Sequence, residues 1–355
     1  MKRMMSNWAI MGLLFLTGCA TIGPGTIPRD RFDYTTAIGE SWKNQMLLNI
    51  VKIRYGDTPV FLDVASVINQ YSIQGQITLG AGWTSSPAAN SQSIGGSGTY
   101  AERPTITYAP LSGEKFTRSL LTPIPPSALM FLIQAGWPVK FLFQTCVNSV
   151  NDLDNWSTAP GWGRPANPEF QRLMDAFEKV QMSRALAVRV EKGDKKEAVV
   201  VIFRRKVGEE IVREISEVRK LLGLKPGIAE FGVHYGVAPQ TDEEVAILTR
   251  SIFEIMVEMS SEIGVPPDHV AEKSTYATSP ELALEKSETP YLIRVRNSTG
   301  EPTKAFSSVH YRGYWFWIDD RDRPSKVTFT FLMILLSLIE TGGAPTVPAV
   351  TIPVG

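Results

Sequence analysis

From Tyr71 to Thr84 the chain changes character at every residue. Tyr71, Ile73, Gly75, Ile77, Leu79, Ala81 and Trp83 form one set; Ser72, Gln74, Gln76, Thr78, Gly80, Gly82 and Thr84 form the other. After the polar stretch SSPAANSQ the alternation resumes. Ile94, Gly96, Gly98, Tyr100, Pro104, Ile106 and Tyr108 stand against Ser93, Ser97, Thr99, Arg103, Thr105 and Thr107, and Glu102 breaks the apolar set. Successive side chains of a strand point to opposite faces, so a sustained period of two argues against helix. It predicts two long strands, 71–84 and 93–108, closed into a hairpin with one apolar and one small, polar face.

Each run exceeds the 9–11 residues that cross a bilayer as a tilted strand. With aromatics towards the ends, the pair resembles a transmembrane β-hairpin. One hairpin has open edges that lipid cannot satisfy, so several copies would have to close a barrel. Against this, Gly96 and Gly98 supply little apolar surface and Glu102 would face lipid. A long soluble hairpin over the core of its own domain accounts for the same alternation, and it is the preferred expectation.

The N-terminus gives an address. Lys2 and Arg3 precede an apolar run, Trp8 to Leu16, of about nine residues. This is the pattern of a secretory signal peptide and falls well short of the roughly 20 residues of a spanning helix. Leu16-Thr17-Gly18-Cys19 follows and resembles the lipobox of bacterial lipoprotein precursors. The resemblance implies cleavage before Cys19, a diacylglycerol on its sulfur and an acylated amino group. More than one acyl chain makes the anchoring stable. Ala20 stands where an aspartate would retain such a protein in the inner membrane, so the resemblance favours the outer membrane.

With 355 residues, 43% of them hydrophobic, the chain can bury a large core. Basic and acidic residues number 36 each, so losing Lys2 and Arg3 leaves a charge of about −2. No basic stripe is present, and nucleic acid is not expected as a partner. Cys146 is the only cysteine after Cys19, which excludes an intramolecular disulfide beyond the anchor, and it reads as a buried small hydrophobe.

Gly23, Pro24, Gly25 and Pro28 suggest a tether, and Met46, Leu47, Ile50 and Ile53 suggest a helix over 41–54 ended by Gly56. Three short apolar helices are expected near 112–121, 126–135 and 138–149. Residues 151–167 are rich in Gly, Pro, Asn and Trp and read as a linker. Beyond it, Asn167 and Pro168 start a helix, 186–190 and 198–203 form a hairpin, and 209–222 form an amphipathic helix. Thr241 with Glu244 predicts a capped helix to about 263. Strands at 291–297, 305–311 and 313–318 precede a helix at about 326–340, apolar on all sides and expected to be fully buried.

Chemistry is sparse. His234, His269 and His310 lack metal-ligand spacing, and a packing role is preferred for His234 beside Gly232 and Gly236. SIGGSG, 93–98, matches no phosphate loop, and Ser97 lacks the flanking glycines of a nucleophile elbow. Asp319, Asp320 and Asp322 could offer oxygens to a hard cation. The competing expectation, which is preferred, is a turn charge-matched by Arg321 and Arg323, with Ser325 capping the last helix.

The expected class is α+β, with antiparallel hairpins packed with amphipathic and buried helices. The expected order is a signal peptide (1–18), a lipidated N-terminus and tether (19–40), an α+β domain (41–150) with hairpin 71–108, the linker (151–167), a second α+β domain (168–341) and an extended tail (342–355). The leading functional expectation is a lipid-anchored periplasmic protein of the outer membrane. It would serve as a binding or assembly component of an envelope system, with envelope proteins or its own copies as partners. One alternative is a subunit of an oligomeric outer-membrane channel formed by hairpin 71–108. Another is a cation-dependent periplasmic enzyme, although catalysis is the less favoured class. No cofactor is expected.

Overall fold

The period-two stretch folds as its pattern requires. In the computed structural model, which describes residues 22–82, 91–110, 113–159, 163, 165, 167–192, 197–204, 206–278 and 291–340, it forms an antiparallel pair. Strand β1 (Leu62–Gly82) pairs with β2 (Ser91–Pro110) in a two-stranded sheet. The strands start earlier than the strict alternation, with one irregularity between Val64 and Ser66. From Ser66↔Thr107 to Gly82↔Ser91 the register is unbroken. The signal peptide, Cys19, the hairpin tip at 83–90 and the tail lie outside the described residues.

The chain divides into two compact units: Met1–Trp42 with Leu62–Pro110, and Lys43–Phe61 with Leu111–Gly355. Helix α1 (Ile22–Arg54) replaces the irregular tether expected over 20–40. Pro24 falls in its first turn, where a missing N–H costs nothing; Pro28 stands inside the helix. In the second unit the end of α1 buries Met46, Leu47, Ile50 and Val51, and Gly56, at φ +73°, turns the chain out of it.

The second unit is built on a six-stranded sheet. After α2 (Gly113–Phe116), a π-helical turn (Thr117–Leu121), α3 (Pro126–Gln134) and α4 (Val139–Cys146) come strands β3 (Val147–Val150) and β4 (Leu153–Asp154). Helix α5 (Pro168–Met182) leads to β5 (Leu186–Lys192) and β6 (Glu197–Phe203), then α6 (Glu209–Leu221), β7 (Glu230–Tyr235) and β8 (Glu244–Thr249). The strand order is β4-β3-β8-β7-β6-β5, antiparallel except for β7 with β8. Strands on both sides of 151–167 therefore share one sheet, and the domain boundary expected there falls inside a single unit. Asn167 caps α5 as its position suggests, its side chain accepting from the Glu169 N–H at 2.8 Å.

The helix expected over 241–263 is instead β8 followed by α7 (Ile252–Ser261). The capping signature occurs twice, at Thr241/Glu244 and at Ser251/Glu254, and only the second closes as a capping box. Val245, Ala246 and Ile247 are all buried, so both faces of β8, which lies between β3 and β7, are covered. A strand covered on both faces is a continuous apolar run, which local periodicity cannot separate from a helix.

Helix α8 (Pro267–Ala271) and strands β9 (Arg296–Ser298), β10 (Ala305–Tyr311) and β11 (Tyr314–Asp319) follow, the strands in order β10-β11-β9. Helix α9 (Arg323–Glu340) buries Phe329, Phe331, Leu332, Leu335 and Leu336. It is not buried all round, because Val327, Thr330 and Ile334 form an exposed stripe at helical spacing. The fold is α+β.

Candidate functional site

The hairpin is the element whose construction asks for a use. Its register pairs like with like across the ladder. Ser72 lies opposite Ala101, Gln74 opposite Thr99, Gln76 opposite Ser97 and Thr78 opposite Gly95, giving one continuous polar face. On the other face Ile73 meets Tyr100, Ile77 meets Gly96 and Leu79 meets Ile94. Position 102, which breaks the apolar pattern, falls opposite Tyr71, where the strict alternation begins. On β2 the apolar positions continue past it through Pro104 and Ile106, with Val67 opposite Ile106, so the Glu falls within that face, at the end of the Tyr71–Ala81 stretch.

Solvent reaches both faces. Ser72, Gln74, Gln76 and Thr78 of β1 are exposed, as are Gly95 to Tyr100 and Arg103 to Tyr108 of β2. Tyr100 and Tyr108 are 51% and 55% exposed, so apolar-face side chains stand uncovered in the single chain. Among the described residues β1 and β2 pair with no other strand, and each offers an open edge. A two-stranded hairpin alone is marginal in water, and a long open edge is a template for another strand.

The three aspartates do not converge on an ion. Asp319 accepts from the Arg321 backbone N–H (2.9 Å) and from its Nε and Nη2 (both 3.1 Å). The Arg321 guanidinium, then its backbone N–H, holds the Asp319 carboxyl down at about 2. Asp320 takes the Lys326 ammonium at 2.6 Å. Asp322, not Ser325, caps α9. It accepts from the Ser325 N–H (3.2 Å) and hydroxyl (2.8 Å), and Ser325 Oγ in turn accepts from the Arg294 N–H. Among the described residues no three His, Cys, Asp or Glu side chains are grouped to hold a metal ion.

Of the histidines, His269 is buried, His234 is partly covered and His310 is exposed. The Tyr55 hydroxyl lies 2.7 Å from His269 Nδ1, with Phe316 and Tyr311 edge-on to the Tyr55 ring. Burial pushes the Tyr55 hydroxyl up to about 12. Asp268, next to this His, accepts from Tyr314 at 2.9 Å. His310 packs edge-on to Trp315, and His234 stands 4.0 Å from Glu244. Gly232 and Gly236 admit no close backbone: a Cβ on either would meet only side-chain atoms at ordinary distances. Cys146 is fully buried, and burial pushes its thiol up to about 12, far from a reactive thiolate.

A buried charge network lies where the sequence reading placed only apolar packing. Arg250 donates to Asn148 Oδ1 and to the carbonyls of Gln144, Thr145 and Trp156. Glu258 accepts from the Ser157 hydroxyl (2.6 Å) and the Thr158 N–H (2.9 Å), with Arg250 Nη2 at 3.9 Å. Glu262 accepts from the N–H groups of Leu292 and Ile293, both at 2.8 Å. The signal was present in the sequence: Glu258 and Glu262 share the stripe of Ile255, Met259 and Ile263. Carboxylates on an apolar stripe announce buried partners. Beside this network a mostly apolar cleft of about 870 Å³ is lined by Tyr55, Arg54, Phe253, Val257 and Tyr276. The Arg54 guanidinium stacks on Tyr276 and donates to the Ser261 and Tyr276 carbonyls. These contacts tie distant segments of the chain together.

No protein family matches the chain, and no curated protein or solved structure does either.

Proposed function

We propose that the protein is a lipid-anchored subunit of an oligomeric outer-membrane channel, in which hairpins from several copies close one β-barrel. The observation that carries this reading is the hairpin itself: two matched strands of 21 and 20 residues, solvent on both faces, and two open edges. A neighbouring copy offers the same edges, and a closed ring leaves none.

The dimensions support it. Positions Tyr71 to Ala81 of the apolar face span ten residue steps. At the rise of a strand that is about 33 Å, and at a tilt of about 40° it gives roughly 25 Å of height, the apolar band of such barrels. Glu102 lies at one end of the Tyr71–Ala81 band, with Pro104 and Ile106 continuing the face beyond it. Opposite Tyr71, it stands at the rim of that band, where a charge costs about 0–1 kcal/mol rather than the larger mid-depth cost. The lower hairpin, from Leu62 to Gln70, would stand clear of the hydrocarbon. The resemblance of residues 16–19 to a lipobox supports the address, with Cys19 as the anchor on the periplasmic side. On this reading the second unit is a periplasmic scaffold.

The test is alternate labelling. Single cysteines at positions 72 to 79 of the membrane-extracted, reconstituted protein are treated with a membrane-impermeant thiol reagent. Gln74, Gln76 and Thr78 positions should label, and Ile73, Ile77 and Leu79 positions should not. Uniform labelling of both sets, or a monodisperse monomer that needs no detergent, would end the channel reading. The second outcome would leave a soluble binding or assembly component.

A further inference from the structure

The hairpin register assigns every position to a face. Between Ser66 and Gly82 of β1, and between Ser91 and Thr107 of β2, the polar face holds one ionisable residue, Arg103, paired with Gln70. Arg103 is exposed. Its neighbours on that face are neutral: Ile68, Ser72, Ala101 and Thr105. The tip sequence WTSSPAAN, 83–90, contains no ionisable residue, and Glu102 falls on the opposite face. Asp63, opposite Ala109, is the next charge on the polar face. It lies six strand positions away, about 20 Å, which is more than two Debye lengths at physiological salt.

We propose that Arg103 makes the channel lumen selective for small anions. This rests on the channel reading and deepens it. Closing the barrel places one Arg103 per subunit at a single level of the lumen. Guanidinium is charged at every accessible pH and is the longest side chain on this face. A ring of like charges between low-dielectric walls concentrates the counter-ion and repels the co-ion. No acidic residue on the same face lies within a Debye length to cancel it. Glu102 belongs to the opposite face of the register.

The experiment is reversal-potential measurement on the full lipidated protein in planar bilayers of neutral phosphatidylcholine under a potassium chloride gradient. The native channel should pass chloride over potassium. Arg103→Lys should keep that preference, Arg103→Gln should bring the two permeabilities close together, and Arg103→Glu should reverse the sign of the potential. Native pores whose selectivity is unchanged in both Arg103→Gln and Arg103→Glu overturn the inference and leave the channel reading standing. Ring-shaped oligomers that never conduct defeat the channel reading, and this inference with it. If Arg103→Glu fails to assemble by native electrophoresis, the comparison of Arg103→Gln with Arg103→Lys decides.

Discussion

Glu262 gives a quantitative test of the buried network. Its side chain is 4% exposed, Oε2 takes two backbone N–H groups, and Oε1 has no partner. Burial pushes its pKa from an ordinary 4.5 up to about 8; the Ile293 and Leu292 N–H bonds pull the other way, and Glu258 adds to the rise. Below about pH 4.5 the group is protonated folded or unfolded and exerts no pH effect. Between about 4.5 and 8 the unfolded chain ionises while the folded chain holds its proton, so stability falls as pH rises. Above about 8 both states are ionised and the loss is complete. At about 1.4 kcal/mol per pH unit over about 3.5 units, the loss comes to roughly 5 kcal/mol.

Glu262→Gln removes this titration while keeping an oxygen for Leu292 and Ile293. The new amide N–H occupies the unpartnered position, a pH-independent cost of about 1–3 kcal/mol. The assay is urea denaturation at pH 5, 6, 7, 8 and 9, followed by tryptophan fluorescence in native and variant proteins. All other titrating groups are common to both, so the difference in unfolding free energy isolates Glu262. The variant should gain on the native protein by about 4 kcal/mol from pH 5 to pH 9, with most of the gain before pH 8. A difference that stays flat across this range would falsify the buried, protonated carboxyl.

Three further outcomes follow from the expected anchor and the acidic turn. Cys19→Ser should leave an uncleaved or mislocalised precursor that takes up no labelled palmitate; label in that variant defeats the lipoprotein resemblance. Asp322→Ala should cost about 1–2 kcal/mol through loss of the α9 cap. Adding calcium or magnesium to the native protein should leave its melting temperature within ordinary salt effects, since a specific ligand of the native state must raise it. A saturable rise that Asp320→Asn abolishes overturns the structural assignment of Asp319, Asp320 and Asp322.

What was legible in the sequence was what is local. The period of two at 71–108 fixes face membership residue by residue, and the Asn167 cap and the Glu209–Leu221 helix follow from neighbours within one or two turns. What escaped is what depends on distant chain. Ser251/Glu254 and Thr241/Glu244 carry the same signature, and the slot between β3 and β7 is what turns 244–249 into strand. Arg250 and Glu258 lie eight residues apart, yet their partners come from 144–158, which no spacing reveals.

The candidate site divides in the same way. Arg103 belongs to the polar face by alternation alone, but its level relative to Tyr71 and Glu102 needs the register, set by how two strands meet. On the channel reading, that level would put Glu102 at the end of the Tyr71–Ala81 band and not at its centre. It would also place Arg103 at the same end, on the face that a closed barrel would turn inward. The two units then differ in kind. In the second, Arg250, Glu258 and Asp319 find their partners within the unit. The hairpin instead pairs with no other strand among the described residues, and if copies close a barrel as proposed, assembly becomes the step on which its stability and its selectivity both depend.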